Sequence, residues 1–217
     1  VEREEARAVR VEFTEALPAI PEVLSVTSPR GKFKIGEPYE VTSAISSAGP
    51  EELRGASSKY PAWVQERYLQ LPPDLPQRVN DLAARVVGGV HTPYDKASAV
   101  ESYLRSNYPY NLRVDPPPFN ADGVDHFLFT LREGYSEYFG STMAVMLRTV
   151  GVPARLAVGY TTGDEIGEED LFSVTDSHNH AWVEVYFPDF GWIPFEPTPG
   201  KSLPGVYQPG AERPEAP

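Results

Sequence analysis

Ser136, His180 and Glu196 are the residues in this 217-residue chain whose types and order could do chemistry together. Ser136 follows Glu133-Gly134-Tyr135 and opens the run Glu137-Tyr138-Phe139-Gly140-Ser141-Thr142-Met143. If that run is a helix, Ser136 sits at or near its first turn. There the free backbone N–H groups and the helix dipole favour negative charge. A nucleophile gains from that position, and a thiol gains most, because its anion is the reactive form. His180 supplies a base for the nucleophile's proton, and Glu196 a carboxylate to fix the imidazole tautomer and stabilise the imidazolium. Taken singly, each has an ordinary explanation. A serine here is most often an N-cap. A lone strand histidine is most often a satisfied, partly buried side chain. Glu196, before Pro197-Thr198-Pro199-Gly200, could cap a turn.

Two elements must bring the trio together. Phe139, Met143, Met146, Leu147 and Val150 recur at helical spacing, so one helix face is apolar. Gly151 fits the position past the helix end, Pro153 stops continuation, and Gly134 allows a sharp turn before the start. His180 opens the alternating strand Ala181-Trp182-Val183-Glu184-Val185-Tyr186-Phe187. Pro188-Asp189-Phe190-Gly191 reads as a turn, and Trp192–Glu196 returns as a second strand. Register decides whether His180 and Glu196 meet, since a one-residue slip swaps every face. If paired residue numbers sum to an even value, both lie on one side as opposite or diagonal neighbours. The even register also gathers the aliphatic residues of both strands on one face, and is the expectation.

Around these elements, residues 1–50 read as a small N-terminal β extension, with strand-like stretches at Val9–Phe13, Val23–Val26 and Tyr39–Ile45. Residues 51–73 read as a mixed connector anchored by burying Tyr60 and Trp63. The core is expected over 74–200, followed by a Pro/Gly-rich tail at 201–217. Asp74 with Gln77 suggests a capping-box helix start, with Val79, Leu82, Ala83, Val86 and Val87 inward and Gly88-Gly89 at its end. Thr92-Pro93 with Asp95 starts a second helix, with Ala97, Val100 and Leu104 inward and an end near Asn107. Residues 108–125 form an irregular loop, and Ala154–Tyr160 and Leu171–Val174 are strands. The acidic stretch Gly163–Asp170 lacks the spaced ladder and terminal glutamate of a calcium-binding EF-hand and reads as a solvated turn. His91 is expected in a solvated loop, His126 packed or partly exposed, and His178 is a minor alternative to His180 as base.

Composition is globular, at 41% hydrophobic and 12% aromatic residues. The net charge of −12 argues against nucleic acid as a partner and suits a lysine-bearing one weakly. Without cysteine there is neither a disulfide nor a thiolate metal site. No run approaches the ~18 apolar residues of a membrane span. Both ends read as cuts in a longer protein.

Gly134-Tyr135-Ser136-Glu137-Tyr138-Phe139, Arg148-Thr149-Val150-Gly151-Val152-Pro153-Ala154-Arg155, Gly159-Tyr160, His180–Val185, Gly191-Trp192 and Phe195-Glu196-Pro197-Thr198-Pro199 resemble the transglutaminase-like superfamily. They are most similar to the bacterial group that carries this domain on a membrane-anchored protein. The resemblance spans about residues 75 to 200. It implies a papain-like α+β core and a Cys-His-Asp triad without a cofactor. It further implies acyl transfer through a thioester, from the glutamine of a protein or peptide to an amine or lysine acceptor. Water as acceptor would make the activity that of a cysteine-type peptidase or amidase. It also implies membrane spans outside this stretch and an extracytoplasmic location, periplasmic or at the cell surface.

Residue by residue, Ser136 takes the nucleophile position, His180 the base and Glu196 the acid. Glu for Asp keeps the charge. Ser for Cys is the larger departure, because a site tuned for a thiolate lacks the stronger base an alcohol needs, and the chain is expected to be inactive. Three explanations stand for Ser136: an introduced Cys→Ser change, a natural loss that leaves a silent peptide-binding or scaffolding domain, or a true serine nucleophile. The completeness of the remaining motif favours the first. The Ser136 backbone N–H is the expected oxyanion donor.

Overall fold

The computed structural model describes residues 8–10, 46–166 and 171–203. In chain order its elements are strand β1 (Ala8–Arg10), helices α1 (Pro50–Gly55), α2 (Ala62–Tyr68), α3 (Gln77–Val86), α4 (Pro93–Asn107) and α5 (Gly123–His126), and a π-helical turn (Phe127–Leu131). Then come α6 (Ser136–Thr149), strands β2 (Ala154–Tyr160), β3 (Asp164–Glu165) and β4 (Leu171–Ser173), a 3-10 turn (Asp176–His178), and strands β5 (Asn179–Phe187) and β6 (Gly191–Phe195). Helices precede an antiparallel sheet of order β2-β5-β6, which is the expected α+β, papain-like arrangement. A second small sheet has the order β1-β4-β3. The remaining strand-like stretches of the N-terminal extension, residues 167–170 of the acidic stretch, and 204–217 of the tail lie outside the described residues.

Helix α6 is the central layer, packed on β2 and β5 on one side and on α3 and α4 on the other. Its apolar stripe explains this: Phe139, Met143, Met146 and Leu147 are wholly buried, while Val150 is only partly so. From the helices, Val79, Val100 and Leu104 fill the space behind it, and from the sheet Val183 and Val185 meet it. Helix α6 ends in a Schellman motif. Gly151 N–H donates to Arg148 O at 3.1 Å and Val152 N–H to Leu147 O at 2.9 Å, with Gly151 left-handed at φ 77°. The α4 start is as its sequence suggests, with the Thr92 hydroxyl accepting Asp95 N–H and Pro93 in the first turn.

Several expectations are corrected. Helix α3 begins at Gln77 with Pro76 as its N-cap, and Asp74 caps nothing. Pro76 bars Leu75 from helical backbone, so the capping box cannot form. The 51–73 stretch holds α1 and α2, and Leu53 joins the central buried cluster, so core packing reaches back beyond residue 74. Trp63 stays 38% exposed, with its edge toward Tyr186 at 5.6 Å, and Tyr68 is the buried aromatic of α2, 4.6 Å from Trp192. Tyr68, Tyr186 and Trp192 cover the sheet face turned away from α6. The sharp turn before α6 is made by Arg132, left-handed at φ 60°. Gly134 is instead a close-approach glycine, where a Cβ would lie 3.0 Å from the Tyr138 side chain.

A Cβ at Gly151 would meet nothing within 4 Å, so only its backbone conformation resists substitution. Gly151→Ala is expected to cost about 1 kcal/mol, and Phe139→Ala about 3–5 kcal/mol through the cavity it leaves. Urea unfolding of the two variants checks this ordering.

Candidate active site

Ser136 is the first residue of α6 and is 6% exposed. Tyr135, in extended backbone, holds the N-cap position, so the N-cap reading of Ser136 is corrected. Its hydroxyl donates to Glu137 Oε2 at 2.9 Å rather than to His180. The course of α6 is fixed by its contacts with the sheet. Near the C-terminus of α6, Arg148 Nε donates to O of Ala154, which pairs with Val185. Two turns earlier, a Cβ at Gly140 would sit 2.5 Å from Leu156 Cδ1 and 3.6 Å from Trp182 O. The helix therefore runs toward the end of the sheet where Gly159 pairs with His180. Ser136, one turn before Gly140, lies on the same stripe.

The β5–β6 register pairs Val183 with Phe195 and Phe187 with Gly191, an even sum, as expected. His180 and Glu196 are diagonal neighbours across the end of this ladder. His180 Nε2 lies 2.5 Å from Glu196 Oε2, and both residues are 3% exposed. The other carboxylate oxygen, Oε1, accepts Thr198 N–H at 2.8 Å. An ionised carboxylate only accepts, so the imidazole proton resides on Nε2 and Nδ1 presents a lone pair. That is the tautomer a general base needs. Among the described residues, no group of three or more His, Asp and Glu side chains is placed to hold a metal ion.

The remaining histidines stand apart. His178 Nδ1 accepts Thr175 N–H at 3.0 Å, and its Nε2 lies 3.5 Å from Asp164 Oδ2, so His178 braces a turn. His91 is exposed, and His126 is partly buried in α5.

Two residues of α4 that the sequence motifs do not mark touch Glu196. Glu101 Oε1 accepts Glu196 N–H at 2.8 Å. Arg105 Nη1 donates to Glu196 O at 2.7 Å, Thr198 O at 2.8 Å and Lys201 O at 3.1 Å. Burial pushes the Glu101 carboxyl up; the Glu196 N–H and the Arg105 charge pull it back, and the Glu196 charge pushes it up further. In sequence, Glu101 and Arg105 read only as an i,i+4 pair on a helix surface.

A buried His–Glu pair on an antiparallel hairpin, in a sheet packed against a central helix, fits the papain-like class of α+β folds. A profile of the transglutaminase-like superfamily matches residues 80–197, and the chain belongs to that superfamily. It is 44% identical over 148 residues to the uncharacterized protein YebA of Bacillus subtilis, covering 65% of this chain and 20% of that protein. It is 34% identical over 154 residues to a protein-glutamine gamma-glutamyltransferase of Pseudomonas aeruginosa, covering 70% of this chain and 22% of that one. The chain thus spans about a fifth of the length of these curated relatives. The crystal structure of the periplasmic domain of TgpA from Pseudomonas aeruginosa is similar at a TM-score of 0.57 and 33% identity, over 64% of this chain and 48% of that one.

Two tests follow from this geometry. A Gln at 196 has one carbonyl oxygen for two donors. With that oxygen on Thr198 N–H, its amide faces the imidazole and demands an acceptor there. Glu196→Gln is expected to move the His180 proton from Nε2 to Nδ1, which imidazole 15N shifts report. For Glu101, a raised carboxyl pKa means that the protonated form favours the fold. That stability is present below the ordinary carboxylate range and is lost as pH rises through the raised value. Glu101→Gln is therefore expected to gain stability relative to the unsubstituted chain from about pH 4 to about pH 7. Urea titrations at the two pH values measure the difference.

Proposed function

We propose that the protein containing this chain performs cysteine-type acyl transfer on the glutamine carboxamides of proteins or peptides, with Ser136 at the nucleophile's position. His180 acts as the base and Glu196 orients it. The observation that carries this reading is the buried His180 Nε2–Glu196 Oε2 bond, which leaves Nδ1 free to accept a proton at the α6 end of the sheet. In the cysteine form, Nδ1 takes the thiol proton and the thiolate attacks the side-chain carbonyl carbon. The protonated imidazole returns the proton to the departing ammonia, leaving a thioester. An amine or lysine then attacks the thioester carbon, gives its proton to Nδ1, and displaces the thiolate. Backbone N–H groups at the helix start, that of Ser136 among them, suit the oxyanion.

The protein-glutamine gamma-glutamyltransferase relative supports glutamine as the acyl donor. The likeness to a periplasmic domain supports an extracytoplasmic location. With serine in place, the chain is inactive. A serine proton is far less acidic than a thiol proton, and the hydroxyl is turned to Glu137. That same bond favours a second reading, a silent domain that binds peptide without turning it over.

Ser136→Cys decides between them. The alkylation rate is measured against pH, and acyl transfer from a glutamine peptide to a small amine is measured alongside. The enzyme reading expects an apparent thiol pKa well below about 8.5 and turnover with amine. An ordinary, slow thiol with no turnover leaves the silent-domain reading standing. Turnover with water alone makes the activity that of a peptidase or amidase.

A further inference from the structure

We propose that Glu101 and Arg105 of α4 are positioning residues for the reaction, a clamp that fixes the Glu196 carboxylate on His180 from outside the sheet. This rests on the acyl-transfer reading above. The need for such a clamp lies in where Glu196 falls. The ladder ends at Val183–Phe195, so no strand pairing holds the Glu196 backbone. The following residues, Pro197-Thr198-Pro199, include two that lack a backbone N–H, so the segment's own turns satisfy few of its carbonyls.

Helix α4 supplies what the sheet does not. Glu101 accepts the Glu196 N–H, and one Arg105 nitrogen gathers the carbonyls of Glu196, Thr198 and Lys201. The two side chains are one turn apart on a single face. Their base is rigid, since Ala97, Val100 and Leu104 are wholly buried and Thr92 caps the helix. With its backbone fixed on both sides, the Glu196 carboxylate meets Thr198 N–H with one oxygen and His180 with the other. A displaced carboxylate would release the imidazole tautomer and orientation together, a loss of the kind that a small misplacement inflicts on catalysis. At Glu101 the Arg105 charge also opposes the effect of the Glu196 charge.

The test combines two readouts, each made with Glu101→Ala and Glu101→Gln. Gln keeps an oxygen that accepts the Glu196 N–H; Ala does not. In the Ser136→Cys background, Glu101→Ala is expected to raise the apparent thiol pKa and lower kcat about tenfold with KM within about twofold. Glu101→Gln should restore both. An Ala variant that matches its background, or a Gln variant as impaired as Ala, overturns the clamp. The second readout needs no nucleophile. In the chain with Ser136, the downfield imidazole Nε2–H resonance of His180 should persist with Gln and be lost with Ala. Persistence in both overturns the clamp. If the Ser136→Cys thiol is itself ordinary, the acyl-transfer reading falls, and the resonance alone decides whether the clamp orients His180. Arg105→Met is the companion variant, since it removes the one nitrogen that gathers the three carbonyls, and it should behave as Glu101→Ala does.

Discussion

The hydrogen bond between His180 and Glu196 is the interaction on which the rest of the site depends, and it depends in turn on hairpin parity. The loop Pro188-Asp189-Phe190 joins Phe187 directly to its partner Gly191. Two left-handed residues make that possible, Asp189 at φ 71° and Gly191 at φ 78°, together with the Phe190 N–H bond to Phe187 O at 3.1 Å. Asp and Gly tolerate this conformation better than most residues do. A slip of one residue would turn the Glu196 side chain to the opposite face and leave a buried histidine without its partner. The same register puts Phe195 beside Val183 and Ile193 beside Val185, so core packing and site assembly select one alignment.

The helix that carries Ser136 is held to this hairpin by contacts of very different kinds. Gly140 lets the helix backbone pass close over Leu156, whose side-chain end a Cβ there would displace. The Schellman end and the Arg148 bond to Ala154 O tie the other end to the start of β2. Burial of Phe139, Met143, Met146 and Leu147 then holds the helix between the sheet and α3–α4. A helix start built in this way offers free N–H groups and a favourable dipole to an anion. A thiolate would use both directly, whereas the serine hydroxyl present satisfies itself on the neighbouring Glu137.

Glu196 is where the sheet's authority ends. Glu196 lies just past the ladder, in a segment whose prolines remove backbone donors, and α4 takes over through Glu101 and Arg105. The candidate residues are therefore carried by separate parts of the chain: Ser136 by α6, His180 by β5, and Glu196 by the segment after β6 that α4 braces. The superfamily to which the chain belongs matches residues 80–197, a span that contains all three.

Local chemistry was enough to read much of this from sequence. The apolar periodicity around Met143, the Thr92-Pro93 cap, the Gly151 terminus and the alternating β5 strand are each set by a few adjacent residues, so their signals survive without tertiary context. The meeting of His180 and Glu196 was legible because their flanking motifs resemble those of a known family, and the hairpin register followed from which parity gathers the aliphatic side chains. Other features were decided only by packing across the chain. Pro76 moved a helix start, α1 and α2 formed where a connector was expected, and Trp63 was left at the surface while Tyr68 went inside. Glu101 and Arg105 stayed hidden because an i,i+4 Glu–Arg pair looks the same whether it faces water or the backbone of residue 196. That distinction arises only when α4 docks beside the end of β6. Long-range docking has no local sequence signature, because the partners are 95 residues apart and their meeting is set by the burial of everything between them.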